Sequence, residues 1–171
     1  AIGVAASADE YGNALGYQAE AIWEGVSVGG RAVSYQYGAA VGPYCKAGRY
    51  SVALGSIAVA SNFSVAIGKS TLADGSSVAV GEGALAKMSG VAIGDYAWAD
   101  NTSAAMGDEA KADGWSVAIG PGAVATSGVH QIAIGEDAVN TNNESALLRG
   151  TLYLDGAQRS TFRRPAGRKQ W

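Results

Sequence analysis

Large apolar residues alternate with alanine in short runs along most of the chain, and each run closes on glycine. Examples are Val52-Ala53-Leu54-Gly55, Val65-Ala66-Ile67-Gly68, Val78-Ala79-Val80-Gly81, Val91-Ala92-Ile93-Gly94 and Val117-Ala118-Ile119-Gly120. Alternation with a period of two is the signature of a β-strand. A second, shorter alternation follows each glycine, as in Ala58-Val59-Ala60 after Gly55. Its third and fifth positions are alanine, apart from Cys45 and Thr71 at the third and Ser34 and Asn140 at the fifth. The closing glycines stand at 3, 16, 29, 42, 55, 68, 81, 94, 107 and 120, a spacing of 13, and the next is Gly135. Glycine, serine and β-branched residues recur too densely for helix. Two short strands and two turns in 13 residues therefore predict one flattened coil of an all-β parallel solenoid.

The alternation also assigns faces. In Val65-Ala66-Ile67 the large side chains share one face and the alanine takes the other; Ala58 and Ala60 share a face from which Val59 points away. The expectation is that Val and Ile face inward, opposing Ala58 and Ala60 across the coil. Ala40, Ala53, Ala66, Ala79, Ala92, Ala105 and Ala118 then form a smooth outer column for another chain to approach. Such a thin interior buries little apolar surface per ordered residue, which predicts a symmetric oligomer with these alanines near its axis. Glycine after the first strand supplies a backbone angle other residues resist, and Gly25, Gly38 and Gly90 are expected to repeat the device at the next turn.

Composition fits a regular, thin body: 25 glycines and 3 prolines leave neither a disordered tail nor an ordinary packed core. No apolar run approaches the roughly 18 residues of a membrane span, so no direct membrane insertion is expected of this stretch. Its start lacks methionine, carries no signal peptide and is already in phase with the repeat, as in a processed product or a fragment. The lone cysteine excludes an internal disulfide, and Cys45 falls in an inward alanine slot, where a thiol behaves as a core residue. From Gln158 to Trp171 the chain is basic, with Arg159, Arg163, Arg164, Arg168 and Lys169 and no acid, whereas the body is acidic. Without an aromatic platform beyond Phe162 and Trp171, that tail points to an acidic neighbouring chain or segment rather than to nucleic acid.

The phased SVAIG runs, each followed by an Ala-x-Ala step, resemble the YadA-like head of the trimeric autotransporter adhesins over residues 1 to about 140. The resemblance implies a left-handed parallel β-roll, a homotrimer, and attachment of a cell to matrix proteins or other cells, outside the bacterium. The same roll occurs, by resemblance, in bacteriophage tail fibres on the virion, which is the alternative reading. The repeat is one residue shorter than the family's commonest one, so contacts of family turns cannot be carried over. The expected organisation is a roll over 1–140, a transition over 141–156 with a hairpin signal at Leu152, Leu154 and Asp155-Gly156, and the basic tail over 157–171.

An enzyme of solenoid form is the competing class. Hexapeptide acyltransferases repeat in sixes and use a histidine base, whereas this chain repeats in thirteens and its one histidine, His130, falls where the period breaks and reads as a loop residue. No catalytic residue and no cofactor are expected. Glu82, Asp95 and Asp108 each directly follow a repeat glycine, so stacking aligns their carboxylates; either a calcium ion or water and Lys69 would relieve the repulsion. Eight residues after successive glycines stand Tyr37, Tyr50 and Phe63, a predicted ladder of rings, with Trp23 and Tyr44 in the same half. Exposed rings suit a receptor site for a host surface protein or glycan, and stacked rings equally suit a structural edge.

Overall fold

In the computed structural model, residues 1–149 are described. They form a parallel β-roll of two sheets, with successive strands of the chain alternating between them. The first sheet has eleven strands, from Asn13–Leu15 through Val65–Ile67 to Ala146–Leu148. The second has ten, from Ser7–Ala8 through Val59–Ala60 to Val124–Ala125. Each strand pairs with its equivalent one coil on, so like stacks on like: Val65 on Val78, Ala66 on Ala79, Ile67 on Val80. The turns are bonded too, Phe63 N–H donating to the Arg49 carbonyl at 3.0 Å and Ser70 N–H to that of Ser56 at 2.9 Å.

The expected faces of the first sheet are reversed. Ala40, Ala53, Ala66, Ala79, Ala92, Ala105 and Ala118 are all 0% exposed, packed inside the coil against Ala58, Ala60 and their equivalents. They therefore present no surface to another chain. Ile67, expected to face inward, is 37% exposed, and Ile93 42%. The reason is width. Four inward positions per coil, as in Ser51, Ala53, Ala58 and Ala60, fill the interior with methyls and hydroxyls; the largest β-branched residue admitted is Thr71, in the slot of Ala58, and Val, Leu and Ile side chains are left outside. Cys45 does occupy its inward slot: it is buried, its Sγ–H donates to the Gly42 carbonyl at 3.0 Å, and burial raises its pKa.

The repeat glycines hold φ of 121–137°, a region open to little else. They are also tightly stacked, for a Cβ built on Gly42 would lie 2.6 Å from the Gly55 carbonyl oxygen. Gly25, Gly38 and Gly90 have ordinary φ, against expectation; they share the buried position of Ser64 and Ser77, where a Cβ on Gly38 would fall 2.7 Å from the Gly48 and Tyr35 oxygens. Backbone angle does not account for glycine there, and serine fills the same position in other coils.

The roll continues past the expected boundary at 140. Ala146–Leu148 pairs in parallel with Ile132–Ile134, placing Arg149 where a glycine would stand and Leu147 in an alanine slot. The hairpin signal at residues 152–156 and the basic tail lie outside the described residues.

Two substitutions separate the faces. Ala66→Leu should lower stability by about 3 kcal/mol through overpacking, whereas Ile67→Leu should melt near the parent; thermal unfolding followed by circular dichroism reads both.

Candidate receptor-binding face

Each coil turns twice, and the candidate receptor-binding side chains sit on these corners. The corner seven and eight residues after the repeat glycine places Asn62 and Phe63 in left-handed conformation, with φ of 47° and 63°. Tyr37 and Tyr50 repeat this at 57° and 52°. A non-glycine residue there is disfavoured by about 1 kcal/mol, and stacking offsets that cost. The Tyr37 and Tyr50 rings lie 4.9 Å apart at 15°, and those of Tyr50 and Phe63 5.2 Å apart at 11°. The predicted ladder is thus formed, half exposed along one edge. Its inner faces cover one another, so it offers solvent mainly ring edges and hydroxyls. The Glu24 carboxylate beside Tyr37 holds that phenol above the usual tyrosine range.

The column continues beyond what spacing alone revealed. Trp115 and His130 stack at 5.9 Å and 17°, and His130 N–H donates to the Gly114 carbonyl at 3.0 Å, as Trp115 N–H does to Asn101. Two extra residues in that turn hide the register in the sequence. His130 lies in a turn, as expected of a loop residue at the insertion, and that turn is the corner that carries Trp115.

Trp23 stands one coil before Gln36, and the Tyr37 N–H donates to the Trp23 carbonyl at 3.1 Å. With Ile22, Tyr35, Gln36 and Arg49 it lines a shallow open groove. The Arg49 guanidinium lies 5.2 Å from the centre of the Tyr50 ring, a cation–π placement. Tyr44 is elsewhere: two residues after Gly42 it occupies the opposite corner, where Arg31 lies 5.6 Å from its ring centre and donates through Nε to Gln18 Oε1 at 2.9 Å. Of the five expected receptor residues, four share an edge and Tyr44 does not.

Glu82, Asp95 and Asp108 do stand in successive coils, on the corner that carries Tyr44, but their carboxylates do not converge. Glu82 takes Lys69 Nζ at 2.7 Å, raising the lysine pKa, and Asp95 Oδ1 accepts the Glu82 N–H at 2.9 Å. Among the described residues no three carboxylate, histidine or cysteine groups gather as metal ligands do.

This geometry has counterparts. Residues 47–71 match two copies of the YadA head domain repeat. The crystal structure of the collagen-binding domain of the Yersinia adhesin YadA superposes with a TM-score of 0.58 at 27% identity, covering 82% of this chain and 77% of that one. This chain thus resembles the YadA head in its repeat and in its fold. No curated protein sequence matches the chain. The matched residues include Tyr50 and Phe63 of the ladder, while Tyr37 lies before them.

Replacing Tyr37, Tyr50 and Phe63 together by Ser removes two stacked pairs of about 0.5–1.5 kcal/mol each. The melting midpoint of the head should fall by several degrees, and scanning calorimetry checks it.

Proposed function

We propose that this head is an extracellular adhesin module, non-enzymatic, assembled from three copies and attaching its bearer to host matrix or cell surfaces. One observation carries the reading: the outer face of the first sheet holds no charged residue through ten coils. Val26, Val28, Val41, Val52, Leu54, Val65, Ile67, Val80, Ile93, Met106 and Ile119 point outward there, and several of them are more than one third exposed. An apolar face of this length has the character of an interface. The contact between copies is accordingly assigned to the Val and Ile rows, in place of the alanines. Charges and aromatic rings are left to the corners and the outer face of the second sheet, which an assembled head presents to solvent.

The similarity to a collagen-binding adhesin domain supports matrix as the target class. Three copies on one axis also repeat each corner three times, and multivalency strengthens weak contacts without new ones.

The test pairs assembly with adhesion. Ile67→Glu with Ile93→Glu should give chains of single-copy mass that bind immobilised collagen and cultured cell layers at least about tenfold more weakly than the parent. Unchanged mass in the double variant would contradict the assigned interface. Failure of the folded parent to bind any of these surfaces would contradict the adhesin reading.

A further inference from the structure

No acidic residue occurs between Glu24 and Asp74, although the chain has 15 of them. That stretch carries Arg31, Lys46, Arg49 and Lys69 together with Tyr35, Tyr37, Tyr44, Tyr50 and Phe63. In a roll a stretch of sequence is a slab of the body, here almost four coils, or roughly 15–20 Å along the axis at the usual strand spacing. The result is a cationic, aromatic band with acidic coils on both sides. Its cations leave from the corners and from the second sheet, where Lys46 is exposed on the strand Lys46–Ala47; none leaves from the apolar face.

At the start of this band lies the groove of Ile22, Trp23, Tyr35, Gln36 and Arg49, with Ile22 and Trp23 contributed by the adjoining coil just before Glu24. Trp23, Gln36 and Arg49 hold the same corner position in three successive coils, so they form a row parallel to the axis. Among the described residues Arg49 has no carboxylate partner, the one ion pair being Lys69–Glu82. Trp23 and Tyr35 belong to no stacked ring pair there, in contrast to the ladder. The groove is too shallow and short to bury what a stable protein partner needs. It combines, however, the three things an acidic sugar chain requires: an aromatic face for the apolar side of a pyranose ring, a planar amide for hydroxyls, and a guanidinium fork for a carboxylate.

We propose that this groove binds a carboxylated glycan, one built with uronic or sialic acid units, running along the roll axis. The inference rests on the adhesin reading and names its ligand class. Trp23 and Tyr35 carry the rings, Gln36 bonds to hydroxyls, and Arg49 takes the carboxylate while Tyr50 fixes its orientation. The acidic coils on either side repel a polyanion, which confines it to the band.

Hyaluronan oligosaccharides are the probe, with neutral dextran as control, in a full chain whose Arg159, Arg163, Arg164, Arg168 and Lys169 are replaced by Gln. That background prevents the basic tail from supplying the binding. Hyaluronan should bind, weaken with salt, and lose about tenfold or more in affinity with Arg49→Gln and with Trp23→Ala. Trp115→Ala, a ring change outside the band, should leave it unaltered. Melting curves confirm that each variant is folded. Absence of hyaluronan binding, equal binding by Arg49→Gln and Trp23→Ala, or displacement of hyaluronan by a proline-rich collagen peptide at these residues would each overturn the proposal. A parent that binds collagen or cells but not hyaluronan leaves the adhesin reading standing and removes only this inference.

Discussion

The interior of the coil is about one methyl group deep from each wall, and the rest of the molecule follows from that. Strands that stack in register bring identical positions together, so an inward slot must suit its equivalents in every coil. Alanine meets this requirement; serine does where its hydroxyl reaches a carbonyl, as Ser77 Oγ does at Ala86 O, 2.9 Å away. Larger side chains are forced outside, where they form the rows of the first sheet. The same closeness requires glycine after that sheet, because neighbouring coils approach until no Cβ fits between them. Two residues strain the rule in the last two described coils. Gln131 is buried with neither carboxamide atom paired among the described residues, at a cost of roughly 1–3 kcal/mol. Asn140 is accommodated by donating to the Ile132 and Ser145 carbonyls.

The period, the strand type and the parallel stacking were legible in the sequence because one feature, the glycine spacing, encodes all three. The inside of the first sheet was not. Alternation divides a strand into two faces without saying which is buried, and the usual preference of large apolar groups for the interior pointed the wrong way. Variation in size is the better indicator. The outward row of Leu15, Val28, Met106 and Ile119 accepts many shapes, while the inward row scarcely departs from alanine. The last described coil was hidden because Arg149 and Leu147 replace its glycine and alanine, and the Trp115–His130 stack because the spacing lengthens there. The ladder of Tyr37, Tyr50 and Phe63 was legible, since equal positions in a solenoid must meet. The groove beside it was not, for it draws on two neighbouring positions across three coils.

A division of labour between surfaces follows. The first sheet is uncharged and apolar on its outer face, the interior is sealed by small residues, and variation in chemistry is left to corners and to the second sheet. Corners are tolerant because their side chains project away from the stack. In one column the residue changes from tyrosine to phenylalanine, then to Ser76, Ser89 and Thr102, and back to Trp115, with the backbone held in left-handed geometry throughout. Recognition can therefore vary on a scaffold whose interior barely changes.

Sedimentation equilibrium of the unmodified chain over a wide concentration range tests most directly whether the outward Val and Ile rows need a covering partner. A single species of three times the 17.2 kDa chain mass, persisting on dilution, is the predicted result. A stable, folded monomer at every concentration would contradict the account, because the apolar face would then stand open to water.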